Sequence, residues 1–291
     1  MAIADGAGVL DRVEADVLAV AAEEREFAGL LSRAQEKRRL AGWPVECAWL
    51  AVTGCPENAP ERSRDRKGAE VSGAGRSLRS RFGAGEQTLG GDGLPSTDRP
   101  VRWLLVSDGP GASLAGRAAA EALSRASVRC ILSTGLCGAL DARWKPGDVV
   151  HAAEVVDGQG ARWESLDPGA GTEPVRLLSV GRVAATVDEK RGLALATGAT
   201  VVEMEAAAVA AEAARNGLPF YCLRAVSDGL EEELPMDFNR YRDSKGRFSR
   251  LRIAAACALR PWAIPALLRF DRQCRESAGI LGDYLVHARF A

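Results

Sequence analysis

Residues 199–228 read ATVVEMEAAAVAAEAARNGLPFYCLRAVSD, and this stretch decides the fold class. Ala199 to Val202 is a short run fit for a strand, and Phe220 to Val226 is a longer apolar one. Between them, 205–216 is dominated by alanine, the strongest helix former, and stops at Asn216-Gly217, residue types that end helices. Strand, helix and strand in immediate succession form one unit of a layered α/β protein.

Working outward, the same alternation continues in both directions. Asp16 to Ala21, Val45 to Thr53, Val101 to Ser107, Arg129 to Ser133, Asp148 to Val156 and Val175 to Val180 read as further strands. Helices are expected from the end of the first strand to about Leu40, over 112–125 and over 188–197. Two stretches break the rhythm. Residues 55–98 hold seven basic and seven acidic residues among Gly, Ser and Pro, which is the composition of a disordered insertion. Residues 240–275 carry ten basic residues against Asp243 and Asp271, a local charge of +8, so the remainder carries −9 of the net −1. Phe248, Leu251, Ile253, Trp262, Ile264, Leu267, Leu268 and Phe270 are interleaved with those cations. Such a helical segment can lie on an anionic membrane surface, or pack on the domain with its arginines in water. The expected organisation is an α/β domain over 1–239 and a basic helical extension over 240–291.

Composition excludes several classes of function. A chain of 291 residues with 47% hydrophobic content buries a core without disulfides or metal. His151 and His287 are the only imidazoles, and neither has metal-ligand company nearby. The seven cysteines are odd in number and contain no C-x-x-C pair, which fits reduced thiols in a cytoplasmic protein. The acidic N-terminus has no positive leader segment, and 253–270 is too interrupted by Arg and Pro to span a bilayer. Near-zero net charge gives no argument for nucleic-acid binding.

Five short segments are expected to follow strands: Glu23 to Glu26, Gly109-Pro110-Gly111, Thr134 to Gly138, Glu203-Met204-Glu205 and Arg224 to Asp228. Ligands of layered α/β proteins sit outside the carboxyl ends of strands. In this order the segments resemble the superfamily of purine nucleoside phosphorylases and methylthioadenosine/adenosylhomocysteine nucleosidases. The resemblance is carried by Ala21 to Phe27, the Gly109 and Thr134 loops, Lys145-Pro146-Gly147-Asp148-Val149-Val150, Val202 to Ala208 and Arg224 to Asp228, and covers 16–54 and 101–230. It implies a three-layer αβα fold around a mixed twisted sheet, with a helical C-terminal extension here.

The resemblance also implies roles. Cleaving the bond between a purine and its sugar leaves negative charge on the departing base, and Asp228 would protonate it. Glu205 would accept hydrogen bonds from ribose hydroxyls with Met204 against the sugar; Glu203, by strand alternation an odd step from the site, is expected to face away and is left out of it. Gly138, Val183, Ala184 and Ser227 would complete the base and sugar pocket. In a hydrolytic enzyme Glu26 would activate water. In a phosphorolytic one Gly109, Gly111, Arg25 and Arg224 would hold inorganic phosphate, the one co-substrate expected in the absence of any other cofactor or metal. Both nucleophiles remain open at this point. Thr186-x-x-Glu189-Lys190-Arg191 and the 237–269 region are similar to hopanoid-associated phosphorylases, which implies release of adenine from adenosylhopane, a lipid-linked nucleoside. A soluble methylthioadenosine nucleosidase and a silent nucleoside-binding or membrane-peripheral protein are the alternatives. Family resemblance further implies a homo-oligomer.

Overall fold

The computed structural model describes residues 12–53, 99–243 and 246–290; the 55–98 insertion lies outside the described residues. In chain order the first half comprises β1 (Val13–Glu14), β2 (Val17–Ala21), a 3-10 turn Glu24–Phe27, α1 (Ala28–Leu31), β3 (Glu36–Arg39), β4 (Glu46–Val52), β5 (Val101–Ser107), α2 (Ala112–Arg125), β6 (Ala126–Ser127) and β7 (Cys130–Ala139). The second half comprises β8 (Val149–Asp157), β9 (Arg162–Glu164), β10 (Glu173–Ser179), α3 (Val187–Thr197), β11 (Val201–Glu203), α4 (Ala206–Arg215), β12 (Phe220–Asp228), a 3-10 turn Phe238–Tyr241, α5 (Arg250–Leu259), a 3-10 turn Pro261–Ala263 and α6 (Ile264–His287).

One mixed sheet runs β11-β10-β8-β12-β7-β2-β5-β4-β3, with β9 beside β8. β5, β2, β7 and β12 are parallel to one another, so their carboxyl ends open on one side. β11 also pairs antiparallel with β7, through Val201↔Ala139 and Val202↔Gly138, and this closes β7, β12, β8, β10 and β11 into a ring. The closure brings the end of β11 to the ends of β7 and β12.

Side-chain alternation builds a core on each face of the sheet. Leu18, Val20, Leu104, Val106 and Ile131 face α2 and α4, whereas Val17, Ala19, Leu105, Cys130 and Leu132 face α1 and α6. On the first face Ala118, Ala119, Ala122, Ala206, Ala210 and Ala213 are buried, and their small side chains let α2 and α4 lie close to the strands. On the second face α1 and α6 meet at glycines: a Cβ on Gly29 would stand 2.8 Å from the Cα of Gly282. From Ile264 onward the basic extension thus supplies a helical layer, with Cys274, Ala278, Leu281 and Leu285 buried against the sheet.

Three sequence expectations need correction. The helix expected to reach Leu40 ends at Leu31, and Glu36–Arg39 is an edge strand antiparallel to β4. Its four charged side chains are all exposed, so the apolar alternation that marks a strand is missing. β7 continues six residues past Ser133, and β12 two past Val226. Thr134 to Gly138 and Arg224 to Asp228 therefore lie within strands rather than after them.

Candidate active site

A cavity of about 780 Å³ opens at the carboxyl ends of these strands. Its inner wall carries Glu26, Gly138, Val183, Ala184, Glu203, Met204, Glu205, Ser227 and Asp228; Arg25 stands near its edge. Its outer wall comes from the C-terminal region and includes Phe238, Phe248, Ile253, Leu267, Leu268 and Phe270. Nine of the twelve expected site residues thus border one space. Gly109, Gly111 and Arg224 do not.

Asp228 ends β12, whose nine residues are all buried. Its Oδ1 lies 2.6 Å from Ser227 Oγ, and its Oδ2 accepts from Lys190 Nζ at 2.6 Å. Lys190 is fully buried, and Nζ also donates to the carbonyls of Gly229 and Glu232, both at 2.7 Å. The ammonium therefore has all three N–H donors satisfied. It is set by the start of α3, where Thr186 and Glu189 form a reciprocal capping box. Burial raises the pKa of Asp228, and the Lys190 charge pulls it back down.

Glu205 stands at the N-cap of α4, and its Oε1 accepts from the Gly111 amide at 2.7 Å. Burial, with the neighbouring Glu203 carboxylate adding to it, pushes Glu205 up to about 8. Glu203 does not face away. Its carboxylate accepts from the amides of Glu205 and Ala206 at 2.9 and 3.0 Å, and pairs with Arg224 at 2.6 Å. Strand alternation fails here because β11 ends at Glu203 and the chain turns straight into α4, whose unsatisfied amides attract the carboxylate.

Glu26 comes from the 3-10 turn after β2. Its Oε2 accepts from the amides of Ala22 and Glu23 at 2.9 and 3.1 Å, and Oε1 from Leu136 at 3.4 Å. Burial raises its pKa, partly offset by those amides and by Arg224. Gly135, with φ of +132°, allows this approach: a Cβ there would lie 3.0 Å from Glu26 Oε2 and 2.9 Å from Arg224 Nη1.

The four residues expected to hold phosphate are otherwise engaged. The Gly109 amide donates to Ala22 and the Gly111 amide to Glu205. Arg25 is exposed and pairs with Glu23 and Asp271. Arg224 is buried beneath the site between Glu203 and Ser133, so it positions carboxylates rather than meeting a ligand. Moreover, the C-terminal region clamps the glycine loop. Arg242 donates to the carbonyls of Pro110 and Gly181, and Arg247 pairs with Asp108. Asn239 accepts from the Val183 amide at 2.8 Å and donates to its carbonyl at 3.0 Å, fixing the loop expected to hold the base. Among the described residues no group of three or more His, Cys, Asp or Glu is placed to hold a metal ion.

Sequence reasoning left out Lys190, Asn239 and the outer wall. Lys190 stood inside a quoted motif, but its role arises only when α3 packs against the end of β12.

Solved structures share this architecture. The chain is similar to 5'-methylthioadenosine/S-adenosylhomocysteine nucleosidase from Neisseria meningitidis in complex with methylthio-immucillin-A, at 17% identity and TM-score 0.59, covering 93% of this chain and 96% of that one. It is similar to futalosine hydrolase of Helicobacter pylori at 14% identity and TM-score 0.57, covering 94% and 95%. S-adenosylhomocysteine nucleosidase from Streptococcus pyogenes matches at 18% identity and TM-score 0.55, covering 96% and 99%. The family model described as the phosphorylase superfamily matches residues 100–175 and 169–258, more than half of the chain. With that match and the αβα fold it accompanies, the chain is an enzyme of the phosphorylase superfamily.

Proposed function

We propose that the protein hydrolyses the N-glycosidic bond of a purine nucleoside, with adenine as the base and water as the nucleophile. In this reading the bond between C1′ and the base nitrogen breaks with its electron pair going to the base, and Asp228 supplies the proton that neutralises it. Water adds its oxygen to C1′ and gives its proton to Glu26. Glu205 holds the ribose hydroxyls, Met204 packs against the sugar, and Ser227 keeps the Asp228 carboxyl oriented. The observation that carries the reading is that Glu26 and Asp228 border one cavity and both have raised proton affinity. An acid must hold its proton near neutral pH, and a base must be able to take one.

Water is favoured over phosphate because the Gly109 and Gly111 amides, Arg25 and Arg224 are already partnered.

The favoured substrate is a nucleoside carrying a large apolar 5′ substituent, of which adenosylhopane is the case implied by the sequence motifs. Its support is the aromatic and aliphatic outer wall, which gives the cavity an apolar half that a bare nucleoside would leave unfilled. Release of free base from adenosine derivatives with short and long apolar 5′ groups tests this. A higher kcat/KM for the long substituent is expected. Equal or lower values would favour a soluble methylthioadenosine nucleosidase, and no release from any of them would make the site a binding site.

A further inference from the structure

The α5–α6 elbow exposes an apolar surface that none of the described residues covers. Leu251 is 84% exposed, Leu259 79%, Trp262 74% and Leu268 64%. Elsewhere among the described residues the exposed large hydrophobics are isolated: Leu166, Leu195 and Ile280. Scattered single residues are ordinary, whereas a contiguous patch marks a contact surface. The chain turns by 111° between α5 and the helix from Pro261, so Leu259 to Trp262 forms a projecting tip.

Charge says what the patch meets. Residues 250–270 contain four arginines and no acidic residue. Arg250, Arg260 and Arg269 form no ion pair among the described residues, while Arg272 and Arg275, just behind the patch, pair with Glu276 and Asp271. Unpaired guanidinium groups beside exposed Leu and Trp match an interface with anionic headgroups outside and acyl chains beneath. Tryptophan at the tip suits that boundary, where an apolar ring with one polar N–H is most at home. No single helix among the described residues is long and apolar enough to cross a membrane; α5 and the helix from Pro261 reach that length only together, across the 111° bend, and Cys274, Ala278, Leu281 and Leu285 hold α6 on the sheet, so the elbow would lie in the interface.

We propose that this elbow docks the enzyme on an anionic lipid bilayer. The same segment builds the outer wall of the cavity through Ile253, Cys257, Ile264, Leu267 and Leu268. Docking therefore sets the cavity against the lipid phase, where an apolar substituent of a nucleoside resides. The surface is independent of the catalytic residues, so its failure and that of the hydrolytic reading are separately observable.

Co-sedimentation of the full chain with phosphatidylglycerol vesicles, and with neutral phosphatidylcholine vesicles, tests the proposal without any substrate. The expected result is binding to the anionic vesicles that weakens with salt and drops roughly 10-fold or more on neutral ones. Leu259→Glu with Trp262→Glu, two residues outside the cavity lining, should reduce anionic-vesicle binding roughly 10-fold or more while release of adenine from a soluble nucleoside stays unchanged. Analytical ultracentrifugation without lipid supplies the counter-test. Absence of vesicle binding, or binding that survives the double substitution, would overturn the proposal. So would a self-association that the double substitution abolishes with no vesicle binding, since the patch would then be a contact between copies.

Discussion

At the scale of single residues the account rests on how proteins hold protons where water is scarce. Asp228 and Lys190 form a fully buried pair whose ammonium is spent on one carboxylate and two carbonyls. The ammonium keeps the Asp228 pKa below where burial alone would put it, so removing it should raise that pKa further. Asp228→Asn should lower kcat by ~10²–10⁴ if the carboxyl is the proton donor. Lys190→Met should move the basic limb of the pH–rate profile upward by about one unit or more, because Asp228 then keeps its proton to higher pH. A loss of rate with an unmoved profile would reduce Lys190 to a structural role. Glu205 gives a second handle, in stability. Its folded pKa of about 8 lies above the ordinary glutamate value of 4.5, so its contribution is full at low pH and is lost as pH rises between those values. Thermal melts should show Glu205→Gln losing less Tm than the parent between pH 5 and pH 8. Equal slopes would mean that Glu205 is not held protonated. Asp228, Glu205 and Met204 were legible in the sequence because they sit in short motifs at strand ends. Glu203 was misread because a strand rule was carried into a helix cap, and Arg224 because nothing local distinguishes a buried arginine from a ligand-facing one.

At the scale of elements, strands buried on both faces were the most legible, since β2, β5, β8 and β12 are near-continuous apolar runs. β3 was not, because an edge strand of exposed charges has the composition of a surface helix. The pairing of α1 with α6 was also beyond reach: it depends on two glycines more than two hundred residues apart. A Cβ on Gly282 would overlap the Gly29 backbone, which has no flexible side chain to move away. Gly282→Ala should therefore push α6 off the sheet and lower Tm by roughly 2–8 °C in differential scanning calorimetry. An unchanged Tm would mean that the helices separate at no cost and that this contact does not set the layer spacing. α6 also carries Gln273, which donates to the Ser227 carbonyl at 2.6 Å, and Ser277, which donates to Val226. Displacing the helix would thus reach the end of β12 and the active site, coupling stability to rate.

For the whole molecule, the net charge of −1 hides a division of labour. An acidic body gathers Glu26, Glu203, Glu205 and Asp228 at one end of a sheet, and a basic region closes the cavity over them. Composition revealed that division, but not that Asn239, Arg242 and Arg247 would latch the basic region onto the glycine and base loops. That latch, together with the amides used inside the glycine loop, underlies the central claim that water attacks the sugar. The most direct measurement is release of adenine from an adenine nucleoside in ¹⁸O-water, with and without inorganic phosphate, followed by mass spectrometry of the sugar. The account predicts one ¹⁸O at C1′ and a rate independent of phosphate. A sugar 1-phosphate as product, formed at a rate that rises with phosphate, would contradict it.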